Sequence, residues 1–261
     1  MLSTIEKLDL KGKNVFLRVD FNVPIKDGVV QDDTRITEAL KTIRYILDNG
    51  GKLAIGAHFG RPKGQRDMKY SLKPVVEHIN AKGYFKAKLV DDCIGEKVSN
   101  ALKAYYPSEA LILENLRFYE GEEKNDPAFT EALAAPFEVY INDAFGVSHR
   151  KHASVYGIAG IAAEKAAGFL IEKEVKYFDK ITRDPDRPFA AILGGAKVSD
   201  KIGVINALLD KADFILVGGA MAYTFLKVLG HKVGSSRVEE SAEEIVQGII
   251  KKAGGGRLFL P

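Results

Sequence analysis

Arginines and histidines in this sequence fall just past the ends of short apolar runs of strand character. Val15–Val19 leads into Asp20-Phe21-Asn22-Val23-Pro24, and Leu53–Ala57 into His58-Phe59-Gly60-Arg61-Pro62-Lys63-Gly64. Ala110–Leu113 leads into Glu114-Asn115-Leu116-Arg117-Phe118. Val139–Ile141 leads into Asn142-Asp143-Ala144-Phe145-Gly146, with His149-Arg150-Lys151-His152 close behind. In an open α/β sheet, ligands bind in the crevice beyond the carboxyl ends of the strands. Cations gathered there make a site for a small, multiply charged anion. Arginine rather than lysine at 35, 61, 117 and 150 suits fork-shaped, bidentate recognition of phosphate. Asp20 and Asn22 alternate along the strand direction, so both face one side, where with Arg35 they could orient hydroxyl and carboxylate groups.

A second cluster lies further along. Gly194-Gly195-Ala196-Lys197 follows a strand and precedes a helical pattern, with Lys201 four residues on. Paired glycines let backbone approach a ligand closely, and a helix start presents unpaired N–H groups with the positive end of the dipole. Lysines there oppose the dipole unless an anion is bound. Two readings stand: a phosphate turn, or a plain turn with solvated lysines. Neither the Walker A pattern nor G-x-G-x-x-G is present, which argues against a P-loop NTPase and an NAD-binding domain. His149 and His152 have a spacing open to metal ligation. Arg150 and Lys151 between them would repel a divalent cation, so hydrogen bonding to phosphate or carboxylate is the better role. Cys93 has no triad-like company and reads as a buried apolar residue.

The elements that must position these residues alternate as βαβ units. Ile36, Ala39, Leu40, Ile43, Ile46 and Leu47 form a helical stripe ending at Asn49-Gly50-Gly51, and Leu72, Val75, Val76 and Ile79 form another closed by Gly83. Asp126-Pro127 is an N-cap and first-turn pair for a helix to about Leu133. Glu164 to Arg183 carries apolar residues at helical spacing, then breaks into Asp184-Pro185-Asp186-Arg187-Pro188, a boundary signal. Beyond it the pattern restarts: strands over Phe189–Leu193, Phe214–Val217 and Arg257–Leu260, with helices between them. Only about 75 residues with three strands follow, which is small for a doubly wound sheet, and the C-terminus at Pro261 reads as a truncation.

The chain has 261 residues, 46% apolar and 28% charged, with a formal net charge of +3. That near balance gives no general argument for nucleic acid or membrane, so positive charge matters through its placement. One cysteine excludes an internal disulfide and fits a reducing compartment. No signal-peptide pattern or long apolar stretch is present. The expected location is the cytoplasm.

Five segments together resemble the phosphoglycerate kinase family from the first residues to the last. They are Arg18-Val19-Asp20-Phe21-Asn22-Val23-Pro24, His58-Phe59-Gly60-Arg61-Pro62, Glu114-Asn115-Leu116-Arg117-Phe118, Asn142-Asp143-Ala144-Phe145-Gly146 with His149-Arg150, and Gly194-Gly195-Ala196-Lys197-Val198-Ser199-Asp200-Lys201. The resemblance implies an α/β fold of two Rossmann-like parallel-sheet domains: a phosphoglycerate-binding domain over 1–163, a hinge helix over 164–183, and an incomplete nucleotide domain over 184–261. It implies binding of 3-phosphoglycerate or 1,3-bisphosphoglycerate by the first and of Mg-ADP or Mg-ATP by the second, in a monomer.

Carried over by position, Asp20 and Asn22, with Phe21 between them, contact the glycerate. His58, Arg61, Arg117 and Arg150, with Phe59 and Gly60 in the same loop, hold the non-transferring phosphate. Arg35 meets the substrate's carboxyl end and the phosphoryl group in transfer, and Lys197 faces that group from the nucleotide side across a cleft that closes. Gly195, Ala196, Lys197 and Lys201 form the nucleotide-phosphate turn, and Gly219 and Ala220 the adenine-side wall. Ala220 stands where many family members have glycine. The family's magnesium-holding aspartate has no counterpart here. The resemblance therefore implies a glycolytic kinase for the intact protein and little activity for these 261 residues. The alternative, from a different class, is a phosphoglycerate-binding fragment that catalyses nothing.

Overall fold

A computed structural model describes residues 2–261, Met1 lying outside them. The chain forms two compact units, one ending at Lys176 and the other running from Tyr177 to Pro261. The first contains β1 (Asn14–Arg18), a small hairpin of β2 (Ile25–Lys26) and β3 (Val29–Val30), α1 (Thr34–Asp48), β4 (Lys52–Gly56), α2 (Lys73–Lys82), β5 (Lys86–Val90), α3 (Glu96–Lys103) and β6 (Glu109–Leu113). Then follow α4 (Glu120–Lys124), α5 (Pro127–Ala134), β7 (Val139–Asn142), α6 (Ile158–Ile161) and β8 (Glu164–Ala167). The boundary between units falls within α7 (Phe169–Arg183).

Six strands of the first unit form a parallel sheet in the order β5-β6-β4-β1-β7-β8. The chain adds β4, β5 and β6 on one side of β1, β6 last and between the other two, then crosses over to add β7 and β8 on the other. The crevice at that reversal, beside β1, is where such a sheet binds ligands. β1, β4 and β6 are buried at four of five positions each, on both faces, as expected of parallel strands covered by helices. Val15, Leu17, Leu53, Ile55, Ile112 and Ile141 pack with α1 and α2 on one face; Phe16, Ala54, Leu111, Leu113 and Tyr140 pack on the other.

Register matters for function here. Arg18 pairs with Gly56 on one side and Asn142 on the other, so β1, β4 and β7 end at one level and release their loops together. Leu116 N–H donates to the Ala57 carbonyl at 3.2 Å, tying the loop after β6 to the loop after β4.

The predicted helices at 36–47, 72–79 and 127–133 are present, with Gly83 left-handed (φ +65°) after α2 and the Asp126 carboxylate accepting from Phe129 N–H at 2.8 Å. The segment read as helical from Glu164 differs: Glu164–Ala167 is an edge strand paired with β7, and the helix starts at Phe169. The ladder bonds that β7 offers outweigh the helical preference of Glu-Lys-Ala-Ala.

The second unit is a three-stranded parallel sheet, β11-β10-β9, made of β9 (Ala190–Gly194), β10 (Phe214–Gly218) and β11 (Leu258–Phe259). Its helices are α8 (Ile202–Leu209), α9 (Ala220–Val228) and α10 (Glu243–Ala253). Ala191, Ile215 and Val217 pack with Ile205, Phe225 and Val246 in its core.

Replacing Asp126 by alanine removes the cap of α5 and should destabilise the first unit by about 1 kcal/mol. Urea unfolding followed by circular dichroism checks this; an unchanged midpoint would contradict the cap's role.

Candidate active site

The loop after β1 is held by its own polar side chains. Asp20 Oδ1 accepts from Asn22 N–H at 3.2 Å, and Asn22 Oδ1 accepts from Gly60 N–H at 2.9 Å, joining the first and second loops. Arg35, in the first turn of α1, donates from Nη1 to Asp20 Oδ2 and to the Asn22 carbonyl, both at 3.0 Å. The start of α1 is itself anchored, because Asp33 Oδ2 takes bonds from His78 Nε2 at 2.9 Å and Tyr84 OH at 2.7 Å. Asp20, Arg35 and Asp143 face a cavity of about 430 Å³ together with Phe145 and Gly146. Phe21 does not share this exposure: its side chain is fully buried in the core, so it can offer a ligand only its backbone.

Asn115 builds the second and third loops. Its Oδ1 accepts from Phe59 N–H (3.2 Å) and Arg117 N–H (3.0 Å), while Nδ2 donates to the carbonyls of Phe59 (2.7 Å) and Tyr70 (2.9 Å). Buried Glu114 accepts from Ser71 Oγ and from the N–H groups of Leu72 and Asn115 at 2.7–2.9 Å. Gly60 is required where it stands: its φ is +60°, and a Cβ would lie 2.4 Å from the Tyr70 ring.

Arg117 is buried, donates from Nη1 to the Gly60 carbonyl at 2.9 Å, and pairs with Glu123 at 3.2 Å. His58 is buried as well, and its Nδ1 lies 3.2 Å from Arg18 Nη2. Arg61 and Arg150 are exposed, and among the described residues their guanidinium groups have no hydrogen-bond or ion-pair partner. His149 is exposed and His152 buried, the latter with Nδ1 3.8 Å from Glu122 Oε1. Burial, then the charges of Arg18, Arg117 and Arg150, push the His58 imidazole down to about 2. Burial likewise lowers the His152 imidazole and the Arg117 guanidinium. The first unit thus brings Asp20, Asn22, Arg35, His58, Arg117 and the loop carrying Arg150 to one end of its sheet.

Two residues escaped the sequence reading as site members. Arg18, the last residue of β1, is 1% exposed and sits among the site cations. Glu122 is fully buried beneath them. Arginine inside an apolar strand was the available signal for the first, and Glu122 had none.

In the second unit, paired Gly194 and Gly218 bring the ends of β9 and β10 together. Gly219 has φ +66°, and a Cβ there would lie 3.2 Å from Gly195 N, so the two turns touch through backbone. Met221 N–H donates to the Gly195 carbonyl at 2.9 Å, setting Ala220 beside Gly195. Ala196, Lys197 and Lys201 are exposed, and among the described residues neither lysine makes a hydrogen bond or ion pair.

The helix start departs from expectation. Ser199–Lys201 is a 3₁₀ turn, α8 begins at Ile202, and Glu239 accepts from the N–H groups of Val198 (2.8 Å) and Ser199 (3.2 Å). A carboxylate, held below the usual range by its bonds to Ser199, already occupies donors that the pattern offered to phosphate.

A family model described as phosphoglycerate kinase matches residues 5–261. The chain belongs to the phosphoglycerate kinase family. It is 51% identical over 251 residues to the phosphoglycerate kinase of Pseudothermotoga lettingae, covering 96% of this chain and 63% of that protein. It is 49% identical to the chloroplastic phosphoglycerate kinase of Volvox carteri, covering 98% of this chain and 56% of that one. Among solved structures, that of phosphoglycerate kinase from Coxiella burnetii matches with a TM-score of 0.84 at 34% identity, covering all of this chain and 66% of that one. The Pyrococcus horikoshii enzyme matches with a TM-score of 0.83 at 29% identity. The chain thus spans under two thirds of the length of the phosphoglycerate kinases it matches by sequence.

The neutral burial of His58 has a pH consequence. Its ordinary value of 6.5 applies in the unfolded chain and about 2 in the folded one. Below pH 6.5 the unfolded chain binds the extra proton, so stability falls with pH, by up to about 1.4 kcal/mol per unit. Urea midpoints measured from pH 7.5 to 5 should decline less steeply for His58→Gln than for the wild type. Equal slopes would contradict a neutral buried imidazole.

Proposed function

We propose that the first unit binds 3-phosphoglycerate or 1,3-bisphosphoglycerate and the second binds ADP or ATP, and that the intact protein transfers a phosphoryl group reversibly between them. The carrying observation is the set of arginines and His58 gathered at one end of the first sheet, with the guanidinium groups of Arg61 and Arg150 unpartnered among the described residues. His58, Arg61, Arg117 and Arg150 hold the non-transferring phosphate. Asp20 and Asn22 take the glycerate hydroxyl, and the Phe21, Phe59 and Gly60 backbone closes the loop around it. Arg35, held by Asp20 and the Asn22 carbonyl, is the group for the carboxyl end.

In the direction that consumes ATP, a carboxylate oxygen of 3-phosphoglycerate attacks the γ-phosphorus of ATP, and the bond to the ADP oxygen breaks with its electron pair leaving on ADP. Such a transfer needs alignment and neutralised charge more than covalent help from the protein. Arg35 and Lys197 are the residues assigned to charge on the transferring group. Gly195, Ala196, Lys197 and Lys201 serve the nucleotide phosphates, and Gly219 and Ala220 the adenine side.

Among the described residues no group of three His, Cys, Asp or Glu is placed to hold a metal ion. Magnesium is assigned to the nucleotide it accompanies, carried on the nucleotide's phosphates. Residues 1–163 are read as the substrate domain, 164–183 as the hinge, whose first residues Glu164–Ala167 add a strand to the first sheet, and 184–261 as the nucleotide domain, working as a monomer in the cytoplasm. No helix among the described residues is long and apolar enough to cross a membrane.

Losing one charge-assisted phosphate contact costs about 1.5–3 kcal/mol, so Arg150→Ala should weaken 3-phosphoglycerate binding about tenfold or more. Calorimetry on the chain decides this, and unchanged affinity would remove Arg150 from the site. In a coupled kinase assay of the intact protein, Arg35→Ala should lower turnover far more than it raises KM. Normal turnover with weaker binding would reassign Arg35 to ground-state recognition.

A further inference from the structure

Beneath the cationic patch runs a buried chain of polar groups that the function above does not use. Fully buried Glu122 accepts from Ser154 Oγ at 2.6 Å and from Ser154 N–H at 2.9 Å. Ser154 Oγ in turn accepts from Arg18 Nε at 2.8 Å, and the Ser154 carbonyl accepts from Tyr140 OH at 3.0 Å. Arg18 spends Nη1 on the Val19 carbonyl and turns Nη2 toward His58 Nδ1 at 3.2 Å.

Hydrogen-bond direction along this chain is forced. A guanidinium only donates, so Ser154 Oγ must accept from Arg18, and its single proton goes to Glu122. For the same reason His58 Nδ1 must present a lone pair to Arg18. The proton of a neutral imidazole then resides on Nε2, and no described residue accepts from that nitrogen.

We propose that Glu122, Ser154 and Arg18 form a positioning relay that holds His58 as an uncharged Nε2–H donor aimed at an anion on the patch. The anion is a phosphate monoester, a step that rests on the phosphoglycerate reading above. The patch then contains one neutral, directional donor among fixed cations. Around His58 the charged and titratable groups are Arg18 from β1, Arg117 after β6, and Arg150 and His152 after β7. Three of these are permanently cationic, so each opposes a second proton on the ring.

Nitrogen NMR of the histidine side chains tests the relay in the chain itself, with His58 identified by comparison with His58→Gln. The expected wild-type result is an unprotonated Nδ1 and a protonated Nε2, unchanged from pH 8 to 5.5. Ser154→Ala should give mixed tautomers, an imidazole that titrates nearer its ordinary value, and about fivefold weaker 3-phosphoglycerate binding, the size of one net hydrogen bond. A protonated Nδ1 in the wild type overturns the relay without need of any variant, and so does a Ser154→Ala protein with unchanged tautomer and affinity. A correct tautomer whose Nε2–H resonance ignores added 3-phosphoglycerate overturns the phosphoglycerate reading instead and leaves the relay standing.

Discussion

Arg18 is a guanidinium taken out of water at the end of the central strand, and the rest of the first unit's site depends on keeping it there. A buried charge is tolerated only when it is paired and its donors are met; stripping a partner from such a group costs about 3–5 kcal/mol. Arg18 meets that condition through the Ser154 hydroxyl, the Val19 carbonyl and His58, with Glu122 supplying the opposing charge. Each partner comes from a different element. The loop after β7 must return past Arg150 to bring Ser154, and short α4 must turn inward to bring Glu122. These demands explain the wide helical turn at Ala153–Gly157, where the His152 carbonyl accepts from three successive N–H groups. Such local departures from α-helical winding occur frequently at functional sites.

Gathering cations is itself unfavourable, and α4 is the counterweight. Glu122 faces Ser154 and lies near His152, while Glu123 pairs with Arg117. Two acids of one turn therefore neutralise the back of a patch whose front, at Arg61 and Arg150, remains open. The same residues set the direction in which the patch opens. With its acids behind and its exposed arginines forward, its positive charge opens toward the strand-end side.

How much of this was legible in the sequence follows from which physical force decided each part. Strands buried on both faces announce themselves as continuous apolar runs, so β1, β4, β6 and β7 could be read directly. The alternating edge strand Lys86–Val90 and the edge strand Glu164–Ala167 could not, since their pairing is imposed by a neighbour rather than by their own composition. Caps were readable at Asp126 and Gly83, where one residue type satisfies a local need. Arg117 and Arg150 could be placed because strand ends define the crevice, and Arg35 because it opens the helix after the first strand-end loop. Glu122 could not, because a glutamate in Glu120-Gly121-Glu122-Glu123-Lys124 looks like any solvated face until the fold turns it inward. Phe21 shows the converse: it lies inside a site motif, yet its side chain serves the core.

The cations of the second unit are set differently, and the contrast bears on the ligand proposed for each. Its turn has no buried arginine; it has glycines that let Gly195 and Gly219 backbones touch, and two lysines extended into solvent. Lysines are point charges on flexible stems and tolerate variation in where a phosphate sits, whereas a guanidinium fixed by its own hydrogen bonds demands one geometry. Glu239 sharpens this difference. By accepting from Val198 and Ser199 N–H, it removes the most directional donors from the helix start and holds the turn in shape. What remains for a ligand is the glycine backbone and the lysine charges, which suit a chain of phosphates that can adjust its own conformation. In the first unit Arg35 and Arg117 are fixed by Asp20, Gly60 and Glu123, while Arg61 and Arg150 stand exposed in front of them, an arrangement that suits a small anion. The two ligands proposed above, one small and one extended, thus call for two different physical ways of holding negative charge.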